Sequence, residues 1–341
     1  MIADAIRKLA DRKDLTRDEV RRVFSEMMDG GASEVQKSAF LVALRMKGET
    51  VEEITGAATA MRERVVPLDI DPAGMIDTCG TGGDGRSTFN ISTVSAIVAA
   101  AAGAVVAKHG NRAVSSSCGS ADVLAALGVK IDMDPEEMVA VLKKTGISFL
   151  FAPRLHPATG SVAGVRRELG LRTIFNVLGP LTNPARARRQ VIGVYSAHLV
   201  DIVARVLVSL DAEHALVVHS HDGMDEISVS APTWVSEVRN GEVRSYEIDS
   251  ESLGLGSYPI DDLRGGDARR NAEITRAIFA GERGAQRDVV VANAGAAIFV
   301  ANLAESIREG VGIAERAIDS GAAAGKLAEL VSETNAAGER E

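Results

Sequence analysis

Met75-Ile-Asp-Thr-Cys-Gly-Thr-Gly-Gly-Asp-Gly-Arg-Ser-Thr-Phe-Asn-Ile-Ser-Thr93 sets the reading of this chain, and Lys108-His-Gly-Asn-Arg-Ala-Val-Ser-Ser-Ser-Cys-Gly-Ser-Ala-Asp122 repeats its logic. Each stretch leaves a short apolar strand, Met75–Asp77 or Val105–Ala107, and crosses a loop of glycines and hydroxyls. Each then enters an apolar helix, Val94–Ala102 or Asp122–Leu127. Strand, loop and helix in succession are the unit of a parallel α/β sheet. Glycines let backbone N–H groups approach an anion, hydroxyls add donors, and a helix N-terminus adds its positive dipole end. Tight turns and helix caps explain either loop alone equally well, but explain both together poorly. Two such loops on neighbouring elements suit a ligand with phosphates at both ends.

The same alternation extends outward. Ser148–Ala152, Val191–Tyr195 and Ala215–His219 read as further strands, and Pro135–Thr145 and Leu199–Leu210 as helices between them. Trp234–Ile248 alternates around Asn240-Gly241, a hairpin signal. Asp267–Ala280, Val289–Ala301 and Ile313–Val331 read as closing helices. Upstream the pattern is helical. Thr16 with Glu19, Ser33 with Gln36 and Thr50 with Glu53 form successive capping-box candidates, and Gly30-Gly31 and Gly48 stand where those helices should stop. Val20, Val23, Phe24 and Met27 make one apolar stripe, and Ile54, Ala57, Ala58, Met61 and Val65 another. Pro67 and Pro72 mark a linker. The expected organisation is therefore a small helical domain over 1–66 and a larger α/β domain over 73–335. The helical stripes cover either a partner subunit or the chain's own sheet.

Composition narrows the classes. In 341 residues, 46% hydrophobic and 25% charged content describes a soluble globular protein with ample core. A net charge of −9 argues against a surface built to coat nucleic acid. The two cysteines, Cys79 and Cys118, both lie in the glycine loops and make no disulfide framework, which points to a reduced cytoplasmic setting. The start of the chain lacks a signal-peptide pattern, and the apolar run Val94–Ala107 is too short to span a bilayer, so no membrane association is expected.

Gly80-Thr-Gly-Gly-Asp-Gly85 fits the dinucleotide glycine pattern, yet the following strand ends in Lys108 instead of an acidic residue. Arg86 replaces the lysine that a P-loop requires before Ser87. A sugar phosphate carrying pyrophosphate fits better. Asn90-Ile-Ser-Thr93 would hold one anionic end, and Lys108, Arg112 and Ser115–Ser117 the other. His219-Ser-His-Asp-Gly-Met-Asp-Glu226 follows an apolar strand, and its paired carboxylates suit Mg²⁺, which takes one or two protein carboxylates plus substrate phosphates. His219 and His221 have no further close Cys or His to complete a zinc set. In Val165-Arg-Arg-Glu-Leu-Gly170, Arg166 or Arg167 offers a fork for a carboxylate, although such a run is more often a solvated face.

These blocks, with the run through Asn183-Pro184 and Asp222-Gly-Met-Asp-Glu226, resemble the anthranilate phosphoribosyltransferases over nearly the whole chain. The resemblance implies a small α-helical N-terminal domain on a larger α/β domain of the nucleoside-phosphorylase-like phosphoribosyltransferase type, and a homodimer joined through the helical domains. It implies transfer of a phosphoribosyl group from phosphoribosyl pyrophosphate to the amine of anthranilate in tryptophan biosynthesis. On this reading phosphoribosyl pyrophosphate is held by Gly80, Gly83, Asp84, Thr88, Asn90, Ile91, Ser92 and Thr93. The second loop adds Lys108, His109, Gly110, Asn111, Arg112, Ala113, Val114, Ser115, Ser116 and Ser120. Anthranilate is contacted by Gly80, Asn111 and Arg166, with His109 and His156 as pocket walls. Ser92, Asp225 and Glu226 match Mg²⁺ positions. No residue is assigned as general acid or base. Gly164 departs from the family pattern, which favours proline there. Pyrimidine nucleoside phosphorylases share this architecture, but the Arg166–Pro184 block and Asp225-Glu226 favour the transferase. A non-catalytic, nucleic-acid-binding relative would be basic and would lack these carboxylates.

Overall fold

The computed structural model describes residues 1–113 and 117–337. Seven strands form one sheet: β1 Met75–Asp77, β2 Val105–Gly110, β3 Ile147–Phe151, β4 Arg189–Gly193, β5 His214–Ser220, β6 Thr233–Arg239 and β7 Glu242–Ile248. Their spatial order is β3-β2-β1-β4-β5-β6-β7. β1 through β5 pair in parallel, while β6 and β7 add antiparallel pairs. The chain runs outward from β1 to β3 on one side and resumes at β4 on the other. The order reverses between β1 and β4, and in such sheets the crevice beyond the carboxyl ends at that point is where ligands bind. Both glycine loops leave strands at this end.

Strand boundaries follow their local chemistry. Every residue of β1, β3 and β5 is buried, as expected of parallel strands covered on both faces. β3 stops one residue before the expected Ala152, which opens a short helix with Pro153. β4 lies two residues earlier than expected, because the N–H of Tyr195 has left the sheet for Thr81 Oγ1 at 3.0 Å. Asn240 and Gly241 both take positive φ, 52° and 82°, as the tight turn between β6 and β7 requires. The helix Ile91–Ala101 is buried along most of its length, which accounts for the apolar run there.

The N-terminal helices are Ile2–Ala10, Arg17–Met28, Glu34–Lys47 and Val51–Arg62. All three capping boxes form, with Thr16, Ser33 and Thr50 each accepting from the N–H three residues on. Val20, Val23, Phe24 and Met27 are fully buried. Val65 lies beyond the helix that was expected to contain it, since that helix ends at Arg62. The apolar core of these helices does not close on itself. It continues into Val162 and Val165, Phe175 and Leu178, and Val203 and Leu207. Phe24 and Phe175 bring their rings to 5.3 Å. The stripes are thus covered largely by helices Gly160–Leu169, Phe175–Leu181 and Leu199–Ser209 of the same chain. Gly164 lies within the first of these, where a side chain would meet open space.

The expected helix Ile313–Val331 is two helices, Ile307–Asp319 and Ala322–Ala337. Gly321 at φ 80° breaks the run, a conformation that ends a helix and that glycine adopts without strain.

Candidate active site

Close backbone contact assembles the first half of the site. A Cβ on Gly193, the last residue of β4, would collide with the Asp225 carbonyl oxygen, and one on Gly80 would stand 3.1 Å from Asp225 Oδ2. Glycine at these two positions lets the Asp222–Glu226 loop lie directly on the ends of β1 and β4. The N–H of Gly82 then donates to Asp225 Oδ2 at 2.7 Å, and that of Ser92 donates to Glu226 Oε1 at 3.2 Å. Asp84 Oδ2 accepts from the Asp225 N–H at 3.4 Å, so a third carboxylate joins the cluster.

This half carries charge that is poorly solvated. Withdrawal from water, and then the neighbouring Asp84, raise the Asp225 pKa above the ordinary carboxylate range. Glu226 is raised well above it by the same desolvation and by Asp225. Among the described residues, no Lys or Arg lies within salt-bridge distance of either. Lys108 is a nearby cation whose charge acts on Glu226. It is 3% exposed, and its Nζ donates to Thr78 O at 2.8 Å and lies 3.5 Å from Ser92 Oγ. Buried Asp77 stands behind it, pushed up to about 6 by burial and held by the His109 N–H and Asn183.

Desolvated carboxylates facing loops built for anions fit Mg²⁺, which neutralises them and bridges to phosphate. Asp77, Cys79 and His109 also bring donor atoms within 4.8 Å of one another. Both Asp77 oxygens, however, already accept protein hydrogen bonds, and His109 Nδ1 faces Gly179 O. The Asp225–Glu226 pair is therefore the better metal candidate.

The second loop is held by its own side chains. Asp122 Oδ2 accepts from the N–H groups of Gly119 and Ala113 at 2.9 and 3.0 Å. Its Oδ1 takes Arg112 Nη1 at 2.9 Å, so the Arg112 guanidinium is already ion-paired. Ser120 Oγ donates to Asn111 O at 3.2 Å. Asn90 joins the two loops, donating to Cys118 O and accepting from Asn271. The Ile91 side chain lies in the core, leaving only its backbone for a ligand, and buried Thr93 Oγ1 has no partner among the described residues. Thr88 pairs through its backbone with Arg264. The Asn111 side chain is exposed, with Oδ1 accepting from the Arg112 N–H. Val114, Ser115 and Ser116 lie outside the described residues.

The other half is neutral where the first is charged. His109 Nδ1 donates to Gly179 O at 3.1 Å, which fixes the tautomer and leaves buried Nε2 without a partner among the described residues. The His156 ring lies 5.0 Å away, and its Nε2 likewise finds no partner among the described residues. Burial pushes His109 down to about 3 and His156 to about 4, so both rings are neutral at pH 7. The helix Phe175–Leu181 places Gly179 against His109 and, one turn earlier, Phe175 beneath Arg166, whose guanidinium stands 5.0 Å from the ring centroid. Arg166 is half-buried with its pKa lowered by burial, and Arg167 is exposed. Among the described residues no carboxylate pairs with Arg166. Of the two arginines left open by the sequence, Arg166 is the one that faces Phe175 and is withdrawn from water. Sequence reasoning gave no role to Arg172, Tyr195, Asn183 or Asn271, because an isolated polar residue carries no pattern, in a loop or, like Asn271, in a helix.

Residues 73–324 match the glycosyl transferase family α/β domain, and residues 3–65 match that family's helical bundle domain. Fold and site thus define a two-domain glycosyl transferase. The anthranilate phosphoribosyltransferase of Anaeromyxobacter sp. strain K is 57% identical, with 98% of this chain and 99% of the relative covered. The crystal structure of the Thermus thermophilus enzyme of that name superposes with a TM-score of 0.92 at 42% identity, covering 97% of this chain and 99% of the other. The Saccharomyces cerevisiae enzyme, solved with phosphoribosyl pyrophosphate and magnesium, gives 0.88 at 26% identity, covering 98% of each chain. The chain belongs to the anthranilate phosphoribosyltransferase family.

Proposed function

We propose that the protein transfers the 5-phosphoribosyl group of phosphoribosyl pyrophosphate to the amine of anthranilate, giving N-(5-phosphoribosyl)anthranilate and pyrophosphate, with Mg²⁺ as cofactor. The observation that carries this reading is the division of the site. Desolvated carboxylates and a buried lysine stand beside glycine loops on one side. Neutral imidazoles and a half-buried, unpaired arginine stand on the other.

The bond from ribose C1 to the pyrophosphate oxygen breaks, and the oxygen keeps the electron pair. Lys108, the N–H groups of the first glycine loop and the N-terminus of Ile91–Ala101 stabilise the departing anion. Asp225 and Glu226 would hold Mg²⁺ with the Ser92 hydroxyl, and the ion would supply positive charge to the pyrophosphate. Arg166 pairs with the anthranilate carboxylate, Asn111 assists, and the amine nitrogen attacks C1 before losing its proton. An aromatic amine is unprotonated at neutral pH, so no strong general base is required. The test follows anthranilate fluorescence after addition of phosphoribosyl pyrophosphate. Consumption that needs Mg²⁺ and releases one pyrophosphate per anthranilate is expected, and its absence would remove the proposal.

The same reading divides the chain at 66 and 73, gives the helical domain a dimer contact, and places the enzyme in the cytoplasm. Val35, Ala39, Val42 and Met46 repeat at helical spacing along Glu34–Lys47, with Val35 78% and Met46 71% exposed. Introducing glutamate at both Val35 and Met46 is expected to halve the mass measured by light scattering. A wild-type monomer, or a variant that stays dimeric, would contradict this interface. Among the described residues no helix is long and apolar enough to cross a membrane.

A further inference from the structure

Leu171-Arg172-Thr173-Ile174 joins helix Gly160–Leu169, which carries Arg166, to helix Phe175–Leu181. Arg172 is exposed, yet its guanidinium is committed on two sides. Nη2 donates to Gly83 O in the first glycine loop, and Cζ stands 4.6 Å from the centroid of the Tyr195 ring. Tyr195 belongs to the segment leaving β4, and its own N–H donates to Thr81 Oγ1 in the same loop. Its half-buried phenol also feels the charges of Arg45 and Glu49 from the helical bundle. Arg172 and Tyr195 therefore form a junction between the glycine loop, the acceptor block and the N-terminal helices.

The glycine loop needs such a hold. Gly82, Gly83 and Gly85 all take positive φ, and a side chain at Gly82 or Gly85 would touch nothing within 4 Å. Three of its tethers run to the β4 and β5 loops: Thr81 to Gly193, Gly82 to Asp225, and Asp84 to Asp225. The bond from Arg172 ties it instead to the acceptor block. Glycine-rich backbone loses more freedom than any other on ordering, so a loop fixed beforehand spares its ligand that cost. A planar guanidinium can lie on a ring while donating from its edge, which an ammonium cannot do.

We propose that Arg172, seated on Tyr195, is a positioning residue that fixes the glycine loop over the phosphoribosyl pyrophosphate site and couples that site to anthranilate binding. The inference rests on the reaction proposed above. Ordering of the Arg166–Phe175 segment by anthranilate then holds Arg172, and Arg172 holds the loop, so each substrate strengthens the other's binding by the same factor.

The test combines initial rates over a grid of both substrates with hydrogen–deuterium exchange of the free enzyme. The chains compared are wild type, Arg172→Ala, Arg172→Lys, Tyr195→Leu, the Arg172→Ala/Tyr195→Leu double variant and the exposed neighbour control Leu171→Ala. Arg172→Ala is expected to raise KM for phosphoribosyl pyrophosphate about ten-fold, the size of one lost charge-assisted bond. KM for anthranilate at low phosphoribosyl pyrophosphate should stay within about two-fold, and the mutual enhancement between substrates should vanish. Lysine should restore part of the effect, the double variant should be no worse than Arg172→Ala, and Leu171→Ala should match wild type. Peptides spanning 79–88 should exchange faster in Arg172→Ala, with the remaining peptides unchanged. Should alanine prevent folding, Arg172→Met gives the same readouts, since it keeps the aliphatic stem but has no donor for Gly83 O. Unchanged exchange in 79–88 would overturn the proposal whether or not the wild type turns over. So would an unchanged KM for phosphoribosyl pyrophosphate in an active enzyme, or a defect confined to anthranilate. A wild type that does not consume anthranilate would overturn the reaction instead, and the exchange comparison would still decide the role of Arg172 in holding the loop.

Discussion

Where the first half of the site crowds charge together, the second removes charge from titratable groups. Asp84, Asp225 and Glu226 lie among backbone N–H groups, with no salt-bridging cation among the described residues, and burial, followed by mutual repulsion, raises the proton affinity of Asp225 and Glu226. His109 and His156, by contrast, are stripped of water and held neutral, with Nε2 atoms that find no partner among the described residues. Burial drives both outcomes. It disfavours the charged form of each group, raising acids and lowering bases. The difference lies in what each half is prepared to receive. The acid cluster is relieved by a cation that a pyrophosphate can share, and the neutral pocket suits an aromatic ring anchored at its edge by one arginine.

The largest expected effect comes from removing the charge of the first half. Asp225→Asn with Glu226→Gln should lower Mg²⁺-dependent turnover by about a hundred-fold or more, since Lewis-acid stabilisation is worth several kcal/mol. The fold should survive, because both side chains lie in a polar loop beyond the carboxyl ends of the strands. Activity that tracks wild type across a Mg²⁺ titration would break the contrast between the halves.

A smaller and more selective effect belongs to the second half. Arg166→Ala should raise KM for anthranilate roughly ten- to hundred-fold, the equivalent of about 1.5–3 kcal/mol for a lost charge-assisted hydrogen bond. Lysine should rescue it only in part, because a point charge does not reproduce a planar fork. Arg167→Ala should leave both constants unchanged, since its side chain is exposed. A defect in Arg167→Ala without one in Arg166→Ala would move the acceptor site to the other face of the helix.

The smallest effects are thermal, and they carry opposite signs. The folded pKa of His109 is pushed down to about 3, so the unfolded chain binds the extra proton as pH falls below about 6.5. The stability that neutral His109 contributes is complete above that pH and is lost progressively towards the folded pKa. The folded pKa of Asp225 is raised, so its penalty is absent at low pH and grows as pH rises past the ordinary carboxylate range. In metal-free protein, His109→Asn should flatten the loss of melting temperature on the acid side. Asp225→Asn should flatten the loss on rising pH. Identical pH profiles for the variants and wild type would show that the two halves do not differ electrostatically in the folded state.

Much of this architecture is legible before any coordinates. Apolar runs between glycine loops place β1, β2 and β5 within a few residues, because a buried parallel strand needs an unbroken apolar stretch. The capping boxes fix three helix starts, since their hydrogen bonds are local. Periodicity reveals which face of Arg17–Met28 is buried but not what buries it, so even the expected helix at Leu199–Ser209 is not legible as its cover. Gly321 read as one more small residue in an alanine-rich run, and only its positive φ separates the last two helices. In the site, residue type locates donors without saying where they point. Arg112, Ser120 and Asn90 spend side-chain groups on holding their own loops. Arg172 was silent because an exposed loop arginine acquires meaning only from Gly83 and Tyr195 beside it.

The division of labour between the halves is tested most directly by measuring both Michaelis constants for Arg166→Ala and Asp225→Asn side by side at several Mg²⁺ concentrations. A crossed pattern is expected. Arg166→Ala should change KM for anthranilate and keep the wild-type Mg²⁺ dependence, whereas Asp225→Asn should demand more Mg²⁺ and weaken phosphoribosyl pyrophosphate with little change in KM for anthranilate. Equal losses for both substrates in both variants would contradict it.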